Sequence, residues 1–379
     1  MNKNKILFLT GTRADFGKLK SLISILSNNK EFDIKIFATG MHLSKKYGYT
    51  IDEIYKSGFS NVFPFINHDS SEKMDRAMAK TIEGLSRYFY ENKPDMLVIH
   101  GDRIEALAGA IVGSLNNIIV SHVEGGEVSG TIDETIRHAV SKMSHIHFVS
   151  NKDAYKRLVQ LGEKEDSIHI IGSPDLDLMN PSSLPDLKTV KDNYNINYKK
   201  YAIAMFHPIT TDYNNISKYA SNFIESIIDS RKNYIMIYPN NDHGSELILE
   251  QFKKCEGNKN IKIFPSLRFE YFLKLLESCE FIIGNSSAGV REAPYYGVPT
   301  IDIGSRQNNR AKSNSVIHCN YEKKEIIAAI DKISCDKLSS KNYKNLYFGD
   351  GNSDKKFLEI LKNNDIWNID VQKYFQDLI

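Results

Sequence analysis

The 379-residue sequence is poor in cysteine, with four residues, Cys255, Cys279, Cys319 and Cys335, all in the second half and none in a CxxC pair. That spacing excludes a disulfide framework and a thiolate zinc site, and reads as scattered reduced thiols. No run approaches the ~18 consecutive apolar residues that a membrane-spanning helix needs. The amino terminus passes from Met1-Asn2-Lys3-Asn4-Lys5 straight into Ile6-Leu7-Phe8-Leu9, too short an apolar stretch for a signal-peptide core and with no small-residue cleavage site after it. Charge of one sign is also missing: 49 Lys and Arg stand against 47 Asp and Glu, a net +2. Such a balance argues against a polyanion-binding surface and against nucleic acid as a partner. The G-x-G-x-x-G dinucleotide fingerprint is absent as well. Together these gaps lead to the expectation of a cytoplasmic protein with neither membrane nor nucleic-acid partners.

Enough apolar material is present for more than one core, with 41% hydrophobic residues. At ~150 residues per domain, the length suggests two domains or three. In the first half short apolar runs, Ile6–Leu9, Ile34–Ala38, Met96–His100, Ile118–His122, His145–Val149 and Ile168–Ile171, alternate with amphipathic stretches. The rhythm restarts at Tyr201–Phe206 and continues through Tyr234–Tyr238, Ile261–Phe264, Phe281–Ile283 and Thr300–Ile303, with a helix expected over Gly289–Tyr296. Strands apolar on both faces and separated by helices mean βαβ units and parallel sheets. The expected fold class is α/β, two Rossmann-like domains over 1–180 and 181–353 with the active site in the cleft between them. Residues 179–200, with Pro181 and Pro185, read as a linker holding one short helix. The tail carries one more helix, about Asp354–Leu361, and then a mixed segment.

In such sheets ligands bind beyond the carboxyl ends of the strands, so residues just past each strand carry the chemistry. After the first strand, Gly11 allows a tight turn while Arg13 and Lys18 flank a helix start, a pattern suited to phosphate or to an ordinary capped turn. Asp102, after Met96–His100, can serve as base or acid, or cap the next helix. Glu124 is a poor cap, and the Gly125-Gly126 pair after it lets backbone approach a ligand closely, so Glu124 reads as functional. Thr131 and Glu134 match a capping box, while Asp133 and Arg137 share a helix face, as an exposed ion pair or as part of a carboxylate cluster with Asp102 and Glu124. In the second half His207, Asn240 and Arg306 follow strands, and Ser286 and Ser287 open a helix where amides and dipole suit a diphosphate. Glu292 is placed to reach ribose hydroxyls. Asp175-Leu176-Asp177 reads as a structural turn and not a metal–diphosphate pair, and His145-x-His147 as one core and one exposed residue without a third ligand.

Taken together, GTRADFGKLK (11–20), TGMH (39–42), HGDRIEALAG (100–109), HVEGGEVSGTIDETIRH (122–138), IGSPDLDLM (171–179), MFHPIT (205–210), YPNND (238–242), FPSLRFEYF (264–272), GNSSAGVREAP (284–294) and GSRQ (304–307) cover nearly the whole chain. In these segments the sequence resembles the hydrolysing UDP-N-acetylglucosamine 2-epimerases of bacterial sialic acid synthesis. The resemblance implies a GT-B-like pair of Rossmann domains, with the tail at about 354–379 packing back on the first, and a homodimer or homotetramer. It implies a UDP-sugar substrate, with Asp102, Glu124 and Asp133 as catalytic carboxylates and His207 beside the leaving phosphate. Arg13, Ser286 and Ser287 match diphosphate contacts, Glu292 the ribose contact, and Arg103, Asn240 and Arg306 other nucleotide-pocket positions. The implied route requires no redox cofactor and no metal, and is compatible with Mg²⁺ accompanying the nucleotide.

Overall fold

The computed structural model describes residues 3–45, 48–67, 73–128, 132–181, 184–239, 244–307, 314–335 and 346–377. The chain divides into two compact units, Met1–Leu178 with Tyr347–Ile379, and Met179–Leu346. Each is built on one parallel sheet.

The first sheet comprises β1 (Asn4–Thr10), β2 (Phe32–Ala38), β3 (Val62–Pro64), β4 (Met96–His100), β5 (Ile119–Val123), β6 (Ile146–Val149) and β7 (Ile168–Ile170), in the order β3-β2-β1-β4-β5-β6-β7. Its central strands are buried on both faces. Ile6 and Phe8 of β1 pack into one core with Leu19, Leu22 and Ile36, while Leu7 and Leu9 enter a second with Leu97, Ile99 and Phe89. The second sheet comprises β8 (Ala202–Met205), β9 (Tyr234–Ile237), β10 (Ile261–Phe264), β11 (Ile282–Gly284), β12 (Thr300–Ile303) and β13 (Val316–Cys319), in the order β10-β9-β8-β11-β12-β13. In both sheets the order reverses beside the first strand, between β1 and β4 and between β8 and β11. Those switch points are where α/β sheets bind ligands.

Three features depart from the sequence expectations. The edge strands β3 and β13 and the helix Met74–Glu91 were not expected. That helix buries Ala77, Thr81 and Gly84 beside Leu85 and Phe89, so small and polar residues dilute its apolar stripe. Gly84 is required there, because a Cβ would lie 2.2 Å from the Phe65 ring. Residues 179–200 hold the short helix expected there: Asp186 caps Leu187–Asn193 by accepting from Lys188 N and Thr189 N, and the segment packs into the second unit where the Tyr194 ring meets Phe264. His145 and His147 are both buried, because β6 is covered on both faces.

The tail belongs to the first unit. Among its described residues only Ser353–Leu361 and the short turn Asn364–Trp367 are helical. Phe357 is fully buried, its ring 4.6 Å from that of Phe148. Phe357→Ala is expected to cost ~3–5 kcal/mol by denaturant titration, the range for emptying an aromatic core site. Further on, Lys373 donates to Glu163 and to the carbonyls of Lys142 (2.8 Å) and Ser144 (2.6 Å), capping the end of the helix Ile132–Met143.

Burial opposes ionisation of Glu163, but His147 and Lys373 outweigh it and hold its carboxyl down at about 2. A depressed carboxyl stabilises the fold above its unfolded pKa, and that contribution is lost as pH falls toward the folded value. Melting temperature is therefore expected to fall more steeply between pH 4.5 and 2 in the native chain than in Glu163→Gln. Parallel slopes for the two proteins would refute this.

Candidate active site

In the first unit the residues singled out by sequence gather at the carboxyl ends of β1, β4 and β5. Thr12 caps the helix Arg13–Ser27, accepting from Asp15 N at 3.2 Å, which points Asp15 inward and leaves Arg13 exposed and paired with Glu53 at 3.1 Å. One and a half turns on, Lys18 donates to Glu124 Oε2 at 2.7 Å and meets Asp175 Oδ2 at 3.1 Å. His100, the last residue of β4, places Nε2 3.0 Å from the same Oε2, and Ser173 donates to Oε1. Glu124 is thus held by two cationic side chains and a hydroxyl, and its backbone sits at φ +61°, a region L-residues rarely adopt.

Asp102 follows Gly101 at the end of β4. Its partner is Arg137, which also donates to Glu127 O at 2.9 Å. That contact with Asp102 spans 35 residues, and Arg137 is buried while Asp133 stands exposed near the start of Ile132–Met143. His122 secures the turn before Asp102. Its Nε2 donates to Gly101 O at 2.8 Å, its Nδ1 accepts from Ser141 Oγ at 3.0 Å, and burial holds its pKa down at about 3. Arg103 donates to the buried Glu105 at 3.4 Å. The two glycines after Glu124 serve packing: a Cβ on Gly125 would lie 2.8 Å from both His122 and Ser141, and one on Gly126 would lie 2.4 Å from Ala154 O. This corrects the reading of that pair as room for a ligand.

In the second unit His207 and Asn285, past β8 and β11, lock the switch point together. His207 N donates to Asn285 Oδ1 at 2.7 Å, and Asn285 Nδ2 donates to His207 O at 2.9 Å. Arg306 Nη1 and Gln307 Nε2 both donate to Asn285 O, at 3.2 and 2.8 Å. The helix expected over Gly289–Tyr296 is interrupted. A three-residue turn, Ser287–Gly289, is followed by a short helix, Glu292–Tyr296, and Ser286 Oγ accepts from Ala288 N at 3.3 Å. The long-helix dipole invoked for Ser286 and Ser287 is therefore not there. Asn240 and Thr131 lie outside the described residues.

Sequence reasoning missed His100, the last residue of its strand, and Asp15, Ser173, Asn285 and Gln307, each within five residues past one, where position was the available signal. It also set aside both members of Asp175-Leu176-Asp177. Asp177 is structural: it accepts from Ser21 Oγ (2.8 Å), Ser353 N (2.8 Å) and Asp354 N (3.0 Å) and caps the tail helix. Asp175 instead joins the Lys18 cluster. Among the described residues no group of three or more His, Cys, Asp or Glu side chains is arranged to hold a metal ion, and no helix is long and apolar enough to cross a membrane. Cys255, Cys279 and Cys319 are free thiols.

Two doubly wound sheets, with carboxylates and cations at one switch point and a His–Asn–Arg lock at the other, define an α/β protein of two Rossmann-like domains of the GT-B-like kind. A solved UDP-GlcNAc 2-epimerase from Methanocaldococcus jannaschii shares this fold, with a TM-score of 0.78 at 24% identity over 94% of this chain and 99% of that one. A family model described as UDP-N-acetylglucosamine 2-epimerase matches residues 24–362, and the chain belongs to that family. It is 48% identical over 376 residues, 99% of each chain, to a UDP-N-acetylglucosamine 2-epimerase of Neisseria meningitidis serogroup B. It is 34% identical, over 94% of this chain and 95% of the relative, to a hydrolysing UDP-N,N′-diacetylbacillosamine 2-epimerase of Legionella pneumophila.

Proposed function

We propose that this member of the UDP-N-acetylglucosamine 2-epimerase family is of the hydrolysing type, converting UDP-N-acetylglucosamine and water to N-acetylmannosamine and UDP, the first step of sialic acid synthesis. The C2 proton is scarcely acidic, so inversion runs through elimination. A base takes the C2 proton, the C1–O bond to UDP breaks, and a C1=C2 glycal remains. Water then supplies hydroxyl to C1 while C2 is protonated on its other face. The route needs a base, an acid and a cradle for the departing diphosphate.

The observation that carries this reading is the placement of Asp102 and Glu124 at the ends of adjacent strands, each engaged by a buried or half-buried cation. With Asp133 they supply the acid–base and electrostatic groups. His207, Arg306, Ser286, Ser287 and Glu292 are assigned to UDP, and Arg13 and Arg103 to the nucleotide as well. No redox group enters the balance. The hydrolysing outcome is supported by the motifs at 122–138 and by the Legionella relative. That same relative favours one second reading, identical chemistry on a diacetylbacillosamine nucleotide.

Proton NMR of the protein with UDP-N-acetylglucosamine in D₂O decides between them. Free UDP with N-acetylmannosamine deuterated at C2 is expected. UDP-N-acetylmannosamine would mean a non-hydrolysing enzyme. No reaction, followed by turnover of the diacetylated nucleotide, would establish the second reading.

A further inference from the structure

We propose that His100 is a positioning residue of this reaction: wedged between Asp15 and Glu124, it works with Lys18 to keep Glu124 a fixed anion, leaving transfer of the C2 proton to other groups. The inference rests on the epimerase reading above and refines the part that Glu124 plays in it.

The geometry begins at the end of β4, where the His100 ring is almost wholly enclosed. Its Nε2 lies 3.0 Å from Glu124 Oε2, and its Nδ1 has no hydrogen-bond partner but faces Asp15 Oδ1 at 3.5 Å. Asp15 is itself oriented by the turn, accepting from Gly11 N at 3.3 Å. A ring flanked by one carboxylate at each nitrogen is satisfied best as an imidazolium, with a proton on both nitrogens.

Other charges around the ring agree with that state. The helix Arg13–Ser27 presents Asp15 and Lys18, the segment past β5 presents Glu124, and the neighbouring strand presents His122, which is held neutral. Burial alone would depress His100, and Lys18 repels its charge. Asp15 and Glu124 outweigh both and raise it to about 9.

The consequence falls on Glu124. Both of its oxygens accept from donors, Oε2 from Lys18 and His100 and Oε1 from Ser173. Protonating it would break charge-assisted hydrogen bonds and strand two cations in a buried site, which is how a carboxyl becomes a poor proton acceptor. Its left-handed backbone, a conformation L-residues rarely adopt, persists because these contacts over-determine the position. A preorganised anion of this kind contributes through its field and by orienting Lys18, while its own protonation state stays constant.

The test uses the full-length protein and two readouts. In ¹⁵N–¹H spectra of the histidine-labelled protein, the His100 resonance, identified by its loss in His100→Gln, is expected to remain imidazolium through pH 8. It should titrate at least about one unit lower in Glu124→Gln and in Asp15→Asn. For turnover, His100→Gln is expected to lower kcat about 100-fold with little change in KM, and to remove the alkaline limb of the native pH profile. A native His100 titrating near the ordinary 6.5 or so, or insensitive to both carboxylate variants, would overturn the proposal. So would a His100→Gln protein with native kcat, or one that keeps the alkaline limb. Should His100→Gln fail to fold, Asp15→Asn leaves the His100–Glu124 contact in place and carries the same titration. Should no sugar nucleotide turn over, the epimerase reading fails while the titration still decides the state of His100.

Discussion

Asp102→Asn should lower kcat by about 10²–10⁴, the range for losing one general acid or base, and leave UDP affinity unchanged. The substitution is nearly isosteric, and the buried Arg137 keeps an amide oxygen to donate to and retains Glu127 O. Folding should therefore survive, and the loss can be assigned to chemistry. Asp102 differs from Glu124 in its partners: one guanidinium holds it, and it follows a glycine turn braced by His122, so it is fixed in place with only one charged contact. Most of the proposed UDP contacts lie in the other unit, and of those in this one Arg13 pairs with Glu53 and Arg103 with Glu105, so calorimetry with UDP alone should not register the change. Turnover within about tenfold of native would remove Asp102 from the acid–base assignment.

Gly284→Ala should be the most damaging single-methyl change in the second unit. Gly284 sits at φ +137°, and a Cβ there would lie 1.7 Å from Met205 O. That oxygen is backbone, so no side chain can swing aside, and it accepts from Asn285 N at 3.1 Å. Relief requires β8 and β11 to separate at their carboxyl ends, which pulls apart the reciprocal His207–Asn285 bonds and the Arg306 and Gln307 contacts. A stability loss of about 4 kcal/mol or more is expected, together with loss of UDP binding. Gly257→Ala is the control: φ is +77° with nothing within 4 Å of the added atom, and only about 1 kcal/mol should be lost. Equal damage from the two would mean that positive φ, and not the close approach at Met205, sets the cost.

Much of this architecture was legible because a parallel sheet covered on both faces writes itself as uninterrupted apolar runs. Met96–His100, Ile261–Phe264 and Thr300–Ile303 were read to the residue. Edge strands lose that signature: β3 is three residues long, half exposed and ends at Pro64. The helix Met74–Glu91 was missed because it packs through Ala77, Thr81 and Gly84, whose small side chains give little hydrophobic contrast. At the candidate site, residue type and position singled out Asp102, Glu124 and His207, which the structure places at or just past strand ends. Partnership could not be read in the same way: Glu124 meets Lys18 across 106 residues and Ser173 across 49, and Arg137 meets Asp102 across 35. The glycines misled for a related reason. A Gly-Gly pair signals close approach without saying of what, and here the approach is to His122, Ser141 and Ala154.

The ammonium of Lys373 at the end of Ile132–Met143 has a consequence for how the protein comes into being. The helix that bears Asp133 and Arg137 is synthesised long before the cation that caps it, which lies 231 residues beyond Lys142. Its unit is interrupted by the whole of Met179–Leu346, which can complete its own sheet during translation, while the first sheet waits for Phe357 and Lys373. The unit that carries the carboxylates is thus completed after the one it encloses, and the groups proposed to move protons reach their final setting only once Phe357 and Lys373 have been made.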